Sequence, residues 1–180
     1  MKISVLIPVF NTPAEHLIEA FMSMVNQTHK PDEIIIINDG STDFYTIMTI
    51  PFLESIGAKT HYLNENTGTG NALNKGHDLC RNDWIAIMGS DDFSFPERLE
   101  KQAEYIKQNP ASHLCGTGLF ACWNDDPYRR TIFSKVHHEK VTDISNKWVC
   151  NHSTAMYHKS VLDKVSKFNK DLFRGQDVDF

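Results

Sequence analysis

The sequence predicts an α/β fold with a mostly parallel sheet flanked by helices, and three observations carry that expectation. Short aliphatic runs alternate with segments of helical period over the first hundred or so residues, as they do in successive βαβ units. One of the runs, Ile34-Ile35-Ile36-Ile37, is continuously apolar, the mark of a strand buried on both faces. Most segments that follow the strands are polar and carry glycine, and in parallel sheets ligands sit beyond the carboxyl ends of the strands.

Ile3 to Pro8 reads as the first strand; its closing proline suits the edge of a parallel strand rather than its middle. Leu17, Ile18, Phe21, Met22 and Val25 recur at helical spacing, with Thr12 as the N-cap and Pro13 at the first helical position. After the isoleucine strand a helix is expected over Phe44 to Ile56, interrupted or kinked at Pro51. His61-Tyr62-Leu63 gives a third strand, Ala72 to Cys80 a third helix, and Trp84 to Met88 a fourth strand. A helix follows Pro96 and ends near Gln108, before Asn109-Pro110. His113 to Trp123 reads as one further strand, 124–147 as a loop-rich connection, and Val161, Leu162 and Val165 as a short helix.

At 180 residues with a net charge of -5, the chain is one domain of ordinary size. It lacks the basic face that nucleic acid requires, so no nucleic-acid partner is expected. Cys80, Cys115, Cys122 and Cys150 form no C-x-x-C pair and read as reduced thiols of a cytoplasmic protein. No membrane span is expected, because no stretch approaches the roughly 20 apolar residues that a span needs.

Two strand ends carry the chemistry. Asp91-Asp92 follows an apolar strand; adjacent carboxylates facing a cleft repel, and a hard divalent cation, Mg²⁺ or Mn²⁺, relieves that repulsion. The same pair can equally form a turn that caps the next helix. Asn38-Asp39-Gly40-Ser41-Thr42-Asp43 ends the isoleucine strand. Asp39 can accept a hydrogen bond from a base or ribose, Gly40 permits close backbone approach, and one of Ser41, Thr42 and Asp43 caps the next helix. The phosphate-loop pattern is absent, since Lys75 is followed by Gly76, and no G-x-G-x-x-G follows the first strand.

With these residues placed, the chain resembles family 2 glycosyltransferases, the inverting nucleotide-sugar enzymes of the GT-A (Rossmann-like) fold. The resemblance runs through Pro8-Val9-Phe10-Asn11, Ser23 to Gln27-Thr28, Glu33 to Asp43, Asn66-Thr67-Gly68, Asn74-Lys75-Gly76, and Ser90-Asp91-Asp92 with Phe95-Pro96-Glu97-Arg98-Leu99. It continues through His152 to Met156, read as an acceptor-side hairpin, and Val161 to Val165, to Gln176-Asp177. It implies that Pro8, Val9 and Asn11 lie against the nucleotide, that Asp39 meets the base, and that Asp91 meets the ribose or the metal. It implies that Asp92 holds Mn²⁺ or Mg²⁺ on the diphosphate and that Asp177 is the base that deprotonates the acceptor. His152, at the start of the acceptor-side strand, is a candidate contact to acceptor or diphosphate. The partners implied are a nucleotide-diphosphate sugar, most simply a UDP-sugar, and a glycan, lipid-linked or other hydroxyl acceptor, met in the cytoplasm or at the cytoplasmic membrane face.

A single domain over 1–180 is expected, with a nucleotide-sugar half at about 1–95 and an acceptor-side half at about 96–180. Family members continue past the base, so the acceptor side reads as cut short and further segments of a longer protein are expected. Asn38, Gly89 and Gln176 depart from the family pattern. Trp123, Tyr128 and Trp148 suit either core or sugar stacking, Arg129-Arg130 either solvent or a phosphate, and His137-His138 a loop more readily than a metal site. A nucleotidyltransferase would want a Gly-rich, basic loop after the first strand, which Val9 to Thr12 lacks. A non-catalytic nucleotide-binding module is the other alternative.

Overall fold

The structure is a computed structural model. It describes residues 1–123, 126–134, 151–165 and 167–168, with the backbone alone for 120–123, 126–134 and 163–165. Six strands form one sheet in the order β3-β2-β1-β4-β8-β5. Strands β1 (Ile3–Val9), β2 (Glu33–Asp39), β3 (Lys59–Leu63) and β4 (Trp84–Ile87) run parallel, with Val5 opposite both Ile34 and Ala86. On the β4 side, strand β8 (Met156–His158) pairs antiparallel with β4, and strand β5 (Leu114–Cys115) pairs antiparallel with β8. Between them in sequence, β6 (Leu119–Trp123) and β7 (Asp126–Ser134) form a separate antiparallel hairpin.

The alternation of side chains across β1 and β2 divides the core into two faces. Val5, Ile7, Ile34 and Ile36 pack beneath α1 (Ala14–Val25), α2 (Phe44–Ser55) and α4 (Arg98–Gln108), against Leu17, Phe21, Leu53 and Leu99. Leu6, Ile35 and Ile37 pack on the other face against Ala72 and Leu73 of α3 (Thr69–Leu79), Tyr157, and Leu162 of α5 (Ser160–Val165). The isoleucine run is therefore buried on both sides, as its sequence predicts. Gly76 lets α3 lie directly on the sheet: a Cβ there would stand 2.1 Å from a Leu6 methyl.

Several boundaries differ from expectation for identifiable reasons. Pro8 lies in an interior strand, but beyond Leu6, the last β1 residue paired with β4, where a missing N–H costs least. Helix α1 starts one residue later than expected, with Pro13 in the cap position and no side-chain cap, because the Thr12 hydroxyl is engaged elsewhere. Helix α2 runs without interruption through Pro51, which stands on its solvent face. Helix α3 begins three residues early, at Thr69, directly after the Thr67-Gly68 turn whose N–H groups donate to Asp39. The expected strand over 113–123 is two strands in different sheets, and part of the expected loop is β7, whose pairing with β6 no local periodicity announces. The expected acceptor-side hairpin is instead a 3-10 turn, His152–Thr154, that leads into β8 within the main sheet.

Candidate functional site

The four parallel strands deliver four loops to one edge of the sheet. The chain proceeds from β1 outward to β2 and β3, then returns to place β4 on the other flank of β1. The crevice between the loops after β1 and β4 is thus the point where strand order reverses, where α/β sheets bind ligands. Across it, Thr12 Oγ1 and Ser90 Oγ share a 2.7 Å hydrogen bond, with Thr12 buried.

Asn11 ties the first loop to the second. Its backbone sits in the left-handed region at φ 49°, which asparagine tolerates better than most residues. From there its Oδ1 accepts from Thr42 N at 2.8 Å and Asp43 N at 2.9 Å, while its own N–H donates to Ser41 Oγ. Asn38 Oδ1 accepts from Ser41 N at 3.0 Å. That turn needs only an oxygen, so the amide replaces an acid without losing the bond and spares a second buried charge beside Asp39. Of the three cap candidates Asp43 caps α2: its Oδ2 accepts from Thr46 N and Thr46 Oγ1 at 2.8 and 2.9 Å, and these bonds hold its pKa below the usual range.

Asp39 ties the second loop to the third. Buried at the end of β2, its Oδ1 accepts from Thr67 N and Thr67 Oγ1, and its Oδ2 from Gly68 N at 2.9 Å. Gly40, at φ 65°, faces the same segment: a Cβ there would lie 2.3 Å from the Glu65 carbonyl carbon. Val9 turns its side chain into the core, leaving its backbone at the site; Pro8 is half-buried beside it.

Asp91 and Asp92 stand exposed at the end of β4, in the fourth loop. Asp92 folds back over Gly89, so that a Cβ on Gly89 would meet Asp92 Oδ2 at 2.3 Å and Ser153 Oγ at 3.2 Å. The bare glycine gives the Asp92 carboxylate its place, next to the turn that holds His152. Ile87 N donates to Ala155 O at 2.9 Å, which seats that turn on the end of β4. His152 therefore reaches the site from a turn, not from a strand, and its Nδ1 is buried with no hydrogen-bond partner. Among the described residues no group of three His, Cys, Asp or Glu side chains converges. Two exposed carboxylates are nevertheless the donor set a hard divalent ion takes when substrate phosphates complete its shell, so the residues fit such an ion.

Gln27 and its neighbours hold this loop, a role that nothing in their spacing announces. Fully buried, Gln27 donates from Nε2 to Phe95 O at 2.8 Å and accepts at Oε1 from Leu99 N at 2.9 Å. Ser23 Oγ accepts from Ser94 N, and Thr28 N donates to Pro96 O at 2.8 Å. Arg98, also buried, donates from Nη2 to Ile87 O at 2.7 Å, and Gln102 Nε2 donates to Thr154 O at 2.9 Å. The segment after the aspartates is thus sewn to α1, β4 and the His152 turn. A polar residue at a buried helix end was the available signal for Gln27. Asp177, Gln176, His137, His138 and Trp148 lie outside the described residues, as do the side chains of Trp123, Tyr128, Arg129 and Arg130.

The order of the sheet and the loops gathered at its switch point define an α/β domain of the GT-A kind. A TarS structure from S. aureus with bound UDP superposes with a TM-score of 0.76 at 21% identity, over 99% of this chain and 53% of that one. A mannosyltransferase from Pyrobaculum calidifontis, solved with GDP-Man and Mn²⁺, gives 0.71 at 17% identity, over 99% and 50%. The family model of glycosyl transferase family 2 matches residues 4–166, and the chain belongs to that family. It is 34% identical to an uncharacterized glycosyltransferase of Haemophilus influenzae, over 90% of this chain and 62% of that protein. It is 32% identical to the amylovoran biosynthesis glycosyltransferase of Erwinia amylovora, over 94% and 65%. The chain therefore spans somewhat under two thirds of these relatives. No helix among the described residues is long and apolar enough to cross a membrane.

Proposed function

We propose that the chain carries the donor-binding machinery of an inverting glycosyltransferase that moves a sugar from a nucleotide-diphosphate donor, of the UDP type, to an acceptor hydroxyl. The observation that carries this reading is the exposed Asp91-Asp92 pair beside the Thr12–Ser90 hydrogen bond, at the point where strand order reverses. The family membership and the bound nucleotides of the two solved neighbours support it.

In this reading Pro8, Val9 and Asn11 line the nucleotide. Asp39 Oδ2, which accepts only one of its two possible hydrogen bonds, takes the ring N–H of the base. Asp91 and Asp92 would hold Mg²⁺ or Mn²⁺, which supplies positive charge against the diphosphate. Asp177 takes the acceptor proton as the acceptor oxygen attacks the anomeric carbon and the bond to the diphosphate breaks on the opposite face. That single displacement inverts the anomeric centre. In this reading His152 contacts diphosphate or acceptor. Residues 1–180 act as one domain, with the nucleotide half at about 1–95 and the acceptor half at about 96–180. Polysaccharide synthesis in the cytoplasm or at its membrane face is the setting that fits the Erwinia relative's name.

The test is donor consumption followed by proton NMR of the product, with Asp177→Asn alongside. Transfer or slow donor hydrolysis with inverted product, lost in the variant, supports the proposal; a product of retained configuration sinks the single-displacement reading. Nucleotide binding without turnover under any condition favours a non-catalytic module.

A further inference from the structure

Helix α2 is amphipathic in the wrong sense. Its core-facing side carries Thr46 and Thr49 beside Ile50 and Leu53, while Phe44, Tyr45, Met48 and Phe52 stand 66%, 69%, 58% and 51% exposed. The helix is fixed in that rotation. Thr46 Oγ1 donates to Thr12 O at 2.8 Å and contacts the Asp43 carboxylate, and Thr49 Oγ1 donates to Tyr45 O. Turning the aromatics inward would break the bond from Thr46 to Thr12 and expose Ile50 and Leu53. Together with Ile47 and Ile56, the outward face presents on the order of 700 Å² of mostly apolar surface, at about 200 Å² for each aromatic side chain. That exceeds the largest apolar patch of a typical monomer, about 300–600 Å², and approaches the roughly 800 Å² that each partner of a stable complex covers.

We infer that this face is the contact between two copies of the chain, which pair α2 against α2 about a two-fold axis at Met48. Phe44 lies four positions before Met48 and Phe52 four after, so these three share one stripe of the helix. An antiparallel partner then sets each Phe44 against the other copy's Phe52, with the two thioethers between aromatic rings. From Phe44 to Leu53 the helix has no charged residue, so its own copy meets no like charge. A membrane surface is the poorer occupant. A helix that lies on lipid carries Lys or Arg on its flanks, whereas the first flanking charges here are Asp43 and Glu54 on a chain of net charge -5. The nucleotide loops lie beyond the start of α2, so pairing at Met48 leaves them open.

Sedimentation equilibrium over a range of concentrations tests this with the wild-type chain, Met48→Glu and Phe52→Glu, both of which replace exposed side chains. The expected result is a dimer whose dissociation constant rises at least ~30-fold in either variant, with melting temperature and nucleotide binding retained. Met48→Cys should then cross-link to a second copy on mild oxidation. A chain that is monomeric at every concentration overturns the inference. So does a dimer that survives both substitutions, or a monomer that instead co-sediments with phosphatidylcholine vesicles.

Discussion

Gln27 and Phe95 are joined across 68 residues by a hydrogen bond of 2.8 Å from the amide Nε2 to the backbone carbonyl. The contact matters because Phe95 lies three positions after Asp92 and the bond fixes that segment to the end of α1. The position of the aspartates is thereby set by a residue of a different βα unit. Ser23, through Ser94, makes a second such stitch.

Replacing Gln27 with Ala should therefore do two things. It strands the buried Leu99 N–H, which costs about 1–3 kcal/mol, while the Phe95 carbonyl keeps its bond from Arg98 N. It also frees the aspartate loop, so metal-dependent nucleotide affinity should fall more than stability alone explains. Urea unfolding and calorimetric titration at a temperature where both proteins are folded separate the effects; an unchanged affinity in the folded variant would contradict the positioning role.

Glu33 anchors the opposite end of the sheet. Burial raises its pKa, but hydrogen bonds from Lys59 Nζ, the Arg81 N–H, Ser4 Oγ and Arg81 Nε outweigh that and hold it at about 2. The folded value lies below the unfolded one, so the stabilisation is complete above pH ~4.5 and is lost as pH falls toward about 2. Solvent around the exposed Lys59 and Arg81 screens the network, which leaves about 2 kcal/mol at neutral pH. The stability gap between wild type and Glu33→Gln should be widest at neutral pH and close progressively in acid, as read by urea unfolding at several pH values.

Two glycines of the site should answer differently to alanine. At Gly40 the new methyl meets the backbone of Glu65 and Asn66, and φ 65° is unfavourable for alanine; a loss of about 2–4 kcal/mol is expected from strain and overpacking. At Gly89 the methyl meets only the Asp92 carboxylate and the Ser153 hydroxyl, which can rotate away. Gly89→Ala should melt within a few degrees of wild type yet bind nucleotide and metal more weakly. Equal destabilisation in both variants would contradict this reading of Asp92.

Much of this arrangement was legible in the chain. The isoleucine strand, the parallel order and the four loops follow from periodicities that reflect burial directly. The hairpin of β6 and β7 did not, because its register is set by cross-strand pairing and not by local pattern. The cap of α1 was misplaced because Thr12 makes a hydrogen bond to a residue 78 positions away. Asn38 and Gly89 look in sequence like losses of acid; in the structure one closes a turn and the other makes room for Asp92. The bonds by which Asp39 holds the Thr67-Gly68 turn ahead of α3 are likewise a tertiary fact.

The central claim, a metal-dependent nucleotide-diphosphate site at Asp91-Asp92, is tested most directly by calorimetric titration of UDP, GDP and dTDP with and without Mn²⁺, in wild type and Asp92→Ala. The account predicts that one diphosphate, UDP, binds only with metal present and that Asp92→Ala abolishes this binding while the protein remains folded. Absence of binding by every diphosphate in the presence of metal, or binding indifferent to both metal and Asp92, would contradict it.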